Sequence, residues 1–404
     1  MILVTCPKET PQYLATEIRN LGFTVDVVHK AGVELTGTFD DCMKLNLWLR
    51  TAHRVLYKLG GWKCRTTDEM YARLSEVAWE DVIAADGYVS VISSVKTAVI
   101  DNDMYANMRC KDAIVDRIRS KKGIRPDSGS SADRTVVFLY WHDDELIVYL
   151  DTSGNVLSNR GYRLHPAKAP LRETLAASII MATRWSPEFP FVNPMAGSGT
   201  LGIEAALMSR NIAPGSLRRN FGFMHCLQFD YKKWDLLLDE AHDVRKSRGA
   251  AQIICSDHDA RALRLAKDNA KEAGVLENIT WKTCEFDQTP VPDVDENPPN
   301  IFDDNTSLPV VIMNPEYGLR LGDTEDLKAT YGEIGDFFKQ RCAGYAGYVF
   351  TGNLELAKHV GLRSKRRIPF YTADIDSRLL EFLLYKGGRN TEKTEEQPVE
   401  QPAE

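Results

Sequence analysis

The sequence predicts a doubly wound, mostly parallel α/β sheet in its C-terminal half, preceded by a smaller α+β region. Three observations carry this. From Glu188 onward short apolar strands alternate with amphipathic helices. One strand runs into a glycine-rich turn that opens a helix, in "FVNPMAGSGTLGIEAA". Another, "VVIMNPEYGLRLG", ends abruptly on an amide, a proline and an aromatic. The ends of parallel strands are where such sheets place ligands and chemistry.

In order, the N-terminal part reads as a short strand, a helix over "PKETPQYLATEIRNLGF", then strand, helix and strand in "GVELTGTFDDCMKLNLWLRTAHRVLYKLGGW". A helix over "DAIVDRIRSKKG" follows, then the hairpin pattern "RTVVFLYWHDDELIVYLDTSG" with Asp143-Asp144 at its turn. In the second half "FPFVNP", "AQIICSD", "NITWKTCEF", "LPVVIMNP" and "AGYVFTGN" read as strands. "GTLGIEAALMSR", "DARALRLAKDNAKEAG" and "DLKATYGEIGDFFKQRC" read as helices, the second stopped by Gly274. "RRIPFYTADIDSRLLEFLLYKGG" reads as an antiparallel pair closing the sheet. Residues 288–307 form an acidic, Pro- and Asn-rich surface loop, and the tail from Arg389, rich in Glu, Gln and Pro, is predicted to be disordered.

A chain of 404 residues suggests two or three domains. Its net charge of −7 excludes a generally basic nucleic-acid binder, so any such partner must meet a local patch. The eight cysteines form no C-x-x-C pair and no His cluster accompanies them, which argues against a metal and for reduced thiols in a cytoplasm. No signal peptide is read in "MILVTCPKET", and no apolar run is long enough to span a membrane.

Gly197 and Gly199 let the backbone approach the polar part of a nucleotide-like ligand, and Thr200 is placed to cap the following helix. A plain strand-to-helix turn would use the same glycines, and the stretch is not a full G-x-G-x-x-G. Asp257, ending the second strand, suits two ribose hydroxyls, but it lies well beyond the spacing of a dinucleotide fold. The gap holds an insert, "NIAPGSLRRNFGFMHCLQFDYKKWDLLLDEAHDVRKSRGA". No G-K-[ST] follows, so the turn is not a P-loop. Glu285, after the third strand, can approach an adenine amino group, with Asp287 as its rival; both are equally explicable as solvated strand ends.

The order of glycine loop, acid, acid and then Asn-Pro-x-Tyr resembles the class I S-adenosylmethionine-dependent methyltransferases that modify exocyclic amines, a Rossmann-like fold. The chemistry accounts for the residues. The lone pair of a base amine is delocalised into the ring; the Asn314 side-chain oxygen and the Pro315 carbonyl can accept its hydrogens and localise it, while Tyr317 stacks on the base. "SNRGYRLHPAKAPLRETLAASII", "MAGSGTLGIEAA", "DARALRLAKDNAKEAGV" and "NPEYGLRLG" further resemble the THUMP-containing RNA methyltransferases. With "TCPKETPQYLATEIRNLGF", "NLWLRTAHRVLYKL" and "MYANMRCKDAIVDRIRSKKGIRP", the chain is most similar to the bacterial 23S rRNA guanine-N2 methyltransferase L family, over about residues 1–388.

The resemblance implies a ferredoxin-like subdomain at 1–60, a THUMP RNA-binding domain at 61–158, a methyltransferase domain at 159–388 and an acidic tail at 389–404. It implies S-adenosylmethionine as cofactor, held by Asn193, Pro194, Ala196, Gly197, Ser198, Gly199, Thr200, Asp257, His258, Glu285 and Phe286, with Asn314, Pro315 and Tyr317 catalytic. The partner implied is 23S rRNA or a large-subunit assembly intermediate. A second methyltransferase module, fused in some bacteria, is expected to be absent, since the sequence stops first. Three departures stand out: Glu316 replaces the second proline of the motif, Asn193 replaces an acid, and "PFYTADIDSRLL" replaces a Phe-Tyr-Asn-Gly turn.

Between Lys96 and Arg125 eight basic residues face four acidic ones. Lys96, Arg109, Lys111, Arg117, Arg119, Lys121 and Lys122 there, with Arg160 and Arg163 at the join, are the candidate RNA contacts. A solvated helix face would show the same charges, and Arg160 and Arg163 serve equally as interdomain ion pairs. Trp48, Trp62 and Trp141 read as core. Two rivals share these features: a THUMP-type tRNA guanine-N2 methyltransferase, and a non-catalytic RNA-binding ribosome-assembly factor.

Overall fold

The computed structural model describes residues 1–100, 102–164, 171–294, 300–316, 324–372 and 375–385. Its strands are β1 (Ile2–Thr5), β2 (Val27–His29), β3 (Gly32–Leu35), β4 (Arg54–Lys63), β5 (Tyr88–Lys96), β6 (Asp127–Ser128), β7 (Thr135–His142), β8 (Glu145–Asp151), β9 (Phe191–Asn193), β10 (Ile253–Asp257), β11 (Ile279–Thr283), β12 (Val310–Met313), β13 (Ala346–Thr351), β14 (Arg366–Thr372) and β15 (Ile375–Leu383). Its helices are α1 (Pro11–Asn20), α2 (Phe39–Trp48), α3 (Thr67–Glu76), α4 (Asp103–Lys122), α5 (Glu173–Ala182), α6 (Thr200–Ser209), α7 (Tyr231–Asp243), α8 (Ala260–Glu272), α9 (Thr324–Arg341) and α10 (Leu354–Ala357). The tail from 389, expected to be disordered, and Tyr317 lie outside the described residues.

The second sheet has the order β11-β10-β9-β12-β13-β15-β14, parallel except where β15 runs antiparallel to both neighbours. This is the doubly wound sheet the alternating pattern predicts, with its switch point between β9 and β12. Period-2 alternation buries both faces. Val310 and Ile312 join Phe191, Ile253 and Phe350 under α5, α6 and α8. Val311 and Met313 join Val192 and Val349 under Tyr331, Ile334 and Phe338 of α9. Strands covered on both sides have no use for polar positions, which is why "VVIM" and "IIC" read as unbroken apolar runs.

The first half is one eight-stranded sheet, β2-β3-β1-β4-β8-β7-β5-β6, rather than two separate small units. The expected boundary at residue 60 falls inside β4. Arg54–Tyr57 pair with β1, and the same strand continues along β8 with a register shift between Lys58 and Gly60. The β7–β8 hairpin is as read, Asp143 taking a left-handed φ of 52° at its turn.

The long insert has a structural reason. Its Phe221, Phe223 and Trp234 are buried in the core of the N-terminal half. Phe221 and Phe223 stack at 5.0 Å, and Trp234 meets Phe223 at 5.0 Å edge-on. Arg218 donates to the carbonyls of Ser153, Asn155, Val156 and Asn159. The two halves therefore share a hydrophobic core.

Candidate active site and nucleic-acid interface

At the switch point β9 ends on Asn193, and the chain turns through Pro194–Gly199 into α6. Met195, Gly197 and Gly199 have φ of 55°, 53° and 78°, a left-handed conformation that β-carbons disfavour. The two glycines serve different ends. A β-carbon on Gly197 would meet nothing within 4 Å, so that side of the loop is open. One on Gly199 would lie 2.9 Å from Ala266 and 3.1 Å from Trp281, so there the glycine lets the loop close on the sheet. Ala196 N–H donates to the Ser256 carbonyl at 2.9 Å, tying the loop to β10. Gly199 is itself the N-cap of α6, with no side-chain cap. The expected capping by Thr200 is not made; its hydroxyl bonds Arg163 and Ser198 instead, at 3.1 and 3.2 Å.

Asp257 ends β10 almost fully buried. Its Oδ2 accepts Gly197 N–H at 2.8 Å and its Oδ1 accepts Asp259 N–H at 3.0 Å. A carboxylate has lone pairs beyond these two, so it can take further hydroxyl donors. His258 beside it is exposed. After β11, Glu285 and Asp287 are both exposed and flank Phe286, which meets Phe337 edge-on at 6.2 Å. These residues line a shallow groove of about 390 Å³ with Glu333, Asp336 and Arg341. A larger cleft, about 840 Å³, lies at the far end of the sheet, lined by Phe302, Arg363 and Tyr385, and holds none of the candidate residues.

Asn193 is 1 % exposed. Its Nδ2 donates to Ile312 O at 2.9 Å and Pro194 O at 3.2 Å, while its Oδ1 is enclosed with no partner among the described residues. Beyond Ile312, Asn314 is half-buried, Pro315 buried and Glu316 exposed. The glycine loop and the Asn314-Pro315 step thus leave adjacent strands at the same edge. Tyr331 of α9, fully buried, shares a 2.8 Å hydrogen bond with Thr351 Oγ1 and directs its hydroxyl at the Glu316 carbonyl at 3.5 Å. Burial pushes its phenol up to about 12, so it stays a neutral donor. No sequence signal marks this residue, because a tyrosine on the apolar face of a helix reads as core.

The basic residues divide. Lys96, Arg119, Lys121 and Lys122 are exposed, the last three at the C-terminal end of α4. Arg117 is committed to Glu80 in a forked pair and to Ser75 O. Arg109 lies over the Tyr71 ring at 4.6 Å and bonds Asp68. Lys111 faces Asp112 at 3.7 Å. Of the two readings of Arg160 the RNA contact is corrected and the ion pair kept: at 2 % exposure, and bonded to buried Glu204, its guanidinium has no face for a phosphate. Arg163 is also drawn inward, bonding Glu173 at 2.9 Å.

An open loop at Gly197 and an enclosed, unpartnered acceptor at Asn193 suit a cofactor that brings polar donors to this edge. Among the described residues no group of His, Cys, Asp and Glu is arranged to hold a metal, and no helix is long and apolar enough to cross a membrane.

Comparison with known proteins gives the family. Residues 160–381 match the family described as "RMKL-like, methyltransferase domain", residues 1–56 the RlmL ferredoxin-like domain and residues 64–151 the THUMP domain. The chain is 35 % identical over 387 residues to the ribosomal RNA large subunit methyltransferase K/L of Syntrophotalea carbinolica, covering 94 % of this chain and 53 % of that one. It is 31 % identical over 371 residues to the Synechocystis protein named "Putative RNA methyltransferase slr0064", covering 92 % and 93 %. The chain thus spans about half the length of the K/L relatives it matches. Among solved structures, SMU.472, described as "a putative methyltransferase complexed with SAH", superposes with a TM-score of 0.83 at 26 % identity, over 96 % of this chain and 98 % of that one. A Listeria monocytogenes protein described as a predicted N6-adenine-specific DNA methylase superposes at 0.82 with 29 % identity, over 95 % and 96 %.

Proposed function

The chain belongs to the RMKL-like methyltransferase family, whose cofactor is S-adenosylmethionine, and from that premise we propose that it methylates the exocyclic N2 amine of a guanine in 23S rRNA, in the cytoplasm. One observation carries the reading. The glycine loop and Asn314-Pro315 emerge side by side at the switch point, joined by the Asn193 amide.

S-adenosylmethionine supplies an electrophilic methyl group on a sulfonium. The glycine loop, Asp257 and Asn193 would hold it, and Glu285 or Asp287 would meet its adenine. Asn314 Oδ1 and the Pro315 carbonyl accept the two amine hydrogens of the target base, concentrating its lone pair for attack. Both acceptors survive the change of the following proline to Glu316. Tyr331, bracing the Glu316 carbonyl, keeps this backbone in place before the base arrives. Tyr317 stacks on the base, which must be unpaired or flipped to reach it. Lys96, Arg119, Lys121 and Lys122 provide a phosphate-binding face on the N-terminal half, the residues 61–158 acting as its RNA-binding domain.

The test is transfer of labelled methyl to large-subunit rRNA, or its assembly intermediate, from a strain lacking the gene, with nucleoside mass spectrometry of the product. N2-methylguanine in that RNA supports the proposal. Label in tRNA alone would move the substrate to the transfer-RNA reading, and no label despite cofactor binding would leave an RNA-binding assembly factor.

A further inference from the structure

The segment joining the two halves reaches the glycine loop through its side chains. Arg160 bonds Glu204 of α6 at 2.8 and 3.1 Å and reaches the Arg50 carbonyl of the N-terminal half at 2.6 Å. Tyr162 donates to the same carboxylate at 3.1 Å. Arg163 then spreads one guanidinium over four acceptors. Nε bonds Glu173 Oε1 at 2.9 Å and Nη1 bonds Ser198 Oγ at 3.2 Å. Nη2 bonds Leu171 O at 3.0 Å and Thr200 Oγ1 at 3.1 Å. From the other side Asn269 of α8, 1 % exposed, accepts Leu164 N–H at 3.1 Å and donates to Ser198 O at 3.3 Å.

We propose that Arg163 is a positioning residue for the cofactor loop, fixing Ser198 between the two left-handed glycines rather than contacting RNA. The inference rests on the reading of that loop as the S-adenosylmethionine site. The left-handed turn takes Ser198 out of both β9 and α6: Gly199 N–H bonds back to the Ala196 carbonyl and its own carbonyl accepts from Ile203 of α6, which leaves the hydroxyl and carbonyl of Ser198 to be held by side chains. Arg163 and Asn269 hold the hydroxyl and the carbonyl of Ser198, and Asp257 holds Gly197 N–H. The planar fork is the reason for arginine. Its donors point in fixed, divergent directions, whereas a lysine ammonium offers three donors from one atom and cannot span Glu173, Ser198 and Thr200 together. Through Arg160 and Glu204 the same segment is anchored to the N-terminal half, so the loop is braced against the body that would carry the RNA.

The experiment measures S-adenosylhomocysteine binding by calorimetry, and thermal melting, for four full-length chains. These are the wild type, Arg163→Lys, the pair Ser198→Ala with Thr200→Val, and the combination of all three. Arg163→Lys keeps a cation beside Glu173 and is expected to melt near the wild type while binding about tenfold more weakly. The hydroxyl pair is expected to lose a similar factor, and the combination no more than either, since all remove one interaction. Wild-type affinity in Arg163→Lys, or losses that multiply, would overturn the proposal while leaving the cofactor site intact. If Arg163→Lys does not fold, the hydroxyl pair, which retains the Arg163–Glu173 bond, decides alone: wild-type affinity there overturns it. A wild-type chain that binds no S-adenosylhomocysteine defeats the functional reading and this inference together.

Discussion

The side-chain nitrogen of Asn193 donates to the carbonyl of Ile312 at 2.9 Å, just beyond the point where β9 and β12 stop pairing at Val192 and Val311. It therefore replaces the next rung of the ladder. Asn193 opens the glycine loop and Ile312 lies two residues before Asn314, so one amide ties the proposed cofactor loop to the proposed catalytic step. This accounts for the amide where the family resemblance expects an acid. An aspartate would set carboxylate oxygens against the carbonyls of Ile312 and Pro194, where Asn193 now donates.

Asn193→Asp is accordingly expected to destabilise the fold by about 1–3 kcal/mol, the cost of a lost buried donor and an unpartnered charge, and to weaken cofactor binding. Denaturant unfolding and calorimetry measure the two. An unchanged midpoint would show that the amide is not needed to close the sheet.

The exposed cations on α4 give a prediction separable from the site. Changing Arg119, Lys121 and Lys122 to glutamine removes three exposed charges from the N-terminal half without altering the glycine loop. RNA affinity is expected to fall, and the slope of log affinity against log salt to drop by roughly 0.7–0.9 for each phosphate that is no longer neutralised. Cofactor affinity should not move. An unaltered salt slope would mean that these residues serve only the C-terminal end of α4, where cations are favoured in any case.

How much of this was legible depends on what each signal reports. Periodicity reports burial, so the seven-stranded sheet, the β7–β8 hairpin and the β14–β15 pair could be read from apolar runs such as Val310–Met313. Strand-end residues such as Asp257 and Asn314 stood out because polar groups interrupt those runs. Sequence does not report which surface a segment covers. Phe221, Phe223 and Trp234 read as an unexplained insert because the core that buries them is built by the N-terminal half, far away in sequence. Arg160 reads equally as a phosphate contact or an ion pair, because nothing nearby in sequence shows that Glu204 neutralises it. Asn269 and Tyr331 went unnoticed for the same reason: each acts through long-range hydrogen bonds.

The shared core predicts that residues 159–388 do not form an independent unit. Without the N-terminal half, Phe221, Phe223 and Trp234 lose the surface that buries them, and Arg160 loses the Arg50 carbonyl. The fragment is expected to be less stable than the full chain or to aggregate, judged by melting and light scattering. A monomeric fragment that melts with the full chain would refute the account of the insert.

Acid should loosen the junction through His53. Its Nε2 is enclosed and takes no hydrogen bond among the described residues; burial, then Arg172 and Arg54, lower its pKa to about 4. The unfolded chain binds the proton near pH 6.5, so stability is full above that value. It falls as pH drops from 6.5 toward 4, on the order of 1–3 kcal/mol in all. His53→Gln should flatten that part of the stability–pH curve; a curve of unchanged shape would assign the loss to other groups.

The last prediction concerns the step itself. Asn314 is placed at the end of β12, and the role given to it is to accept a hydrogen from the target amine. That bond strengthens as the lone pair is drawn toward the methyl group, so it favours the transition state over the bound ground state. Asn314→Ala is therefore expected to slow single-turnover methyl transfer by about 10²–10³, the usual consequence of losing one preorganised partner of developing charge. Cofactor affinity should change little, because the loop, Asp257 and Asn193 remain. Glu316→Pro is expected to keep wild-type rates, since the Pro315 carbonyl is the second acceptor, the side chain replaced is exposed, and proline keeps the carbonyl at 316 that Tyr331 meets. Rate and affinity falling together in Asn314→Ala would mean that the residue supports the cofactor site. A wild-type rate in that variant would move the chemistry away from this strand end.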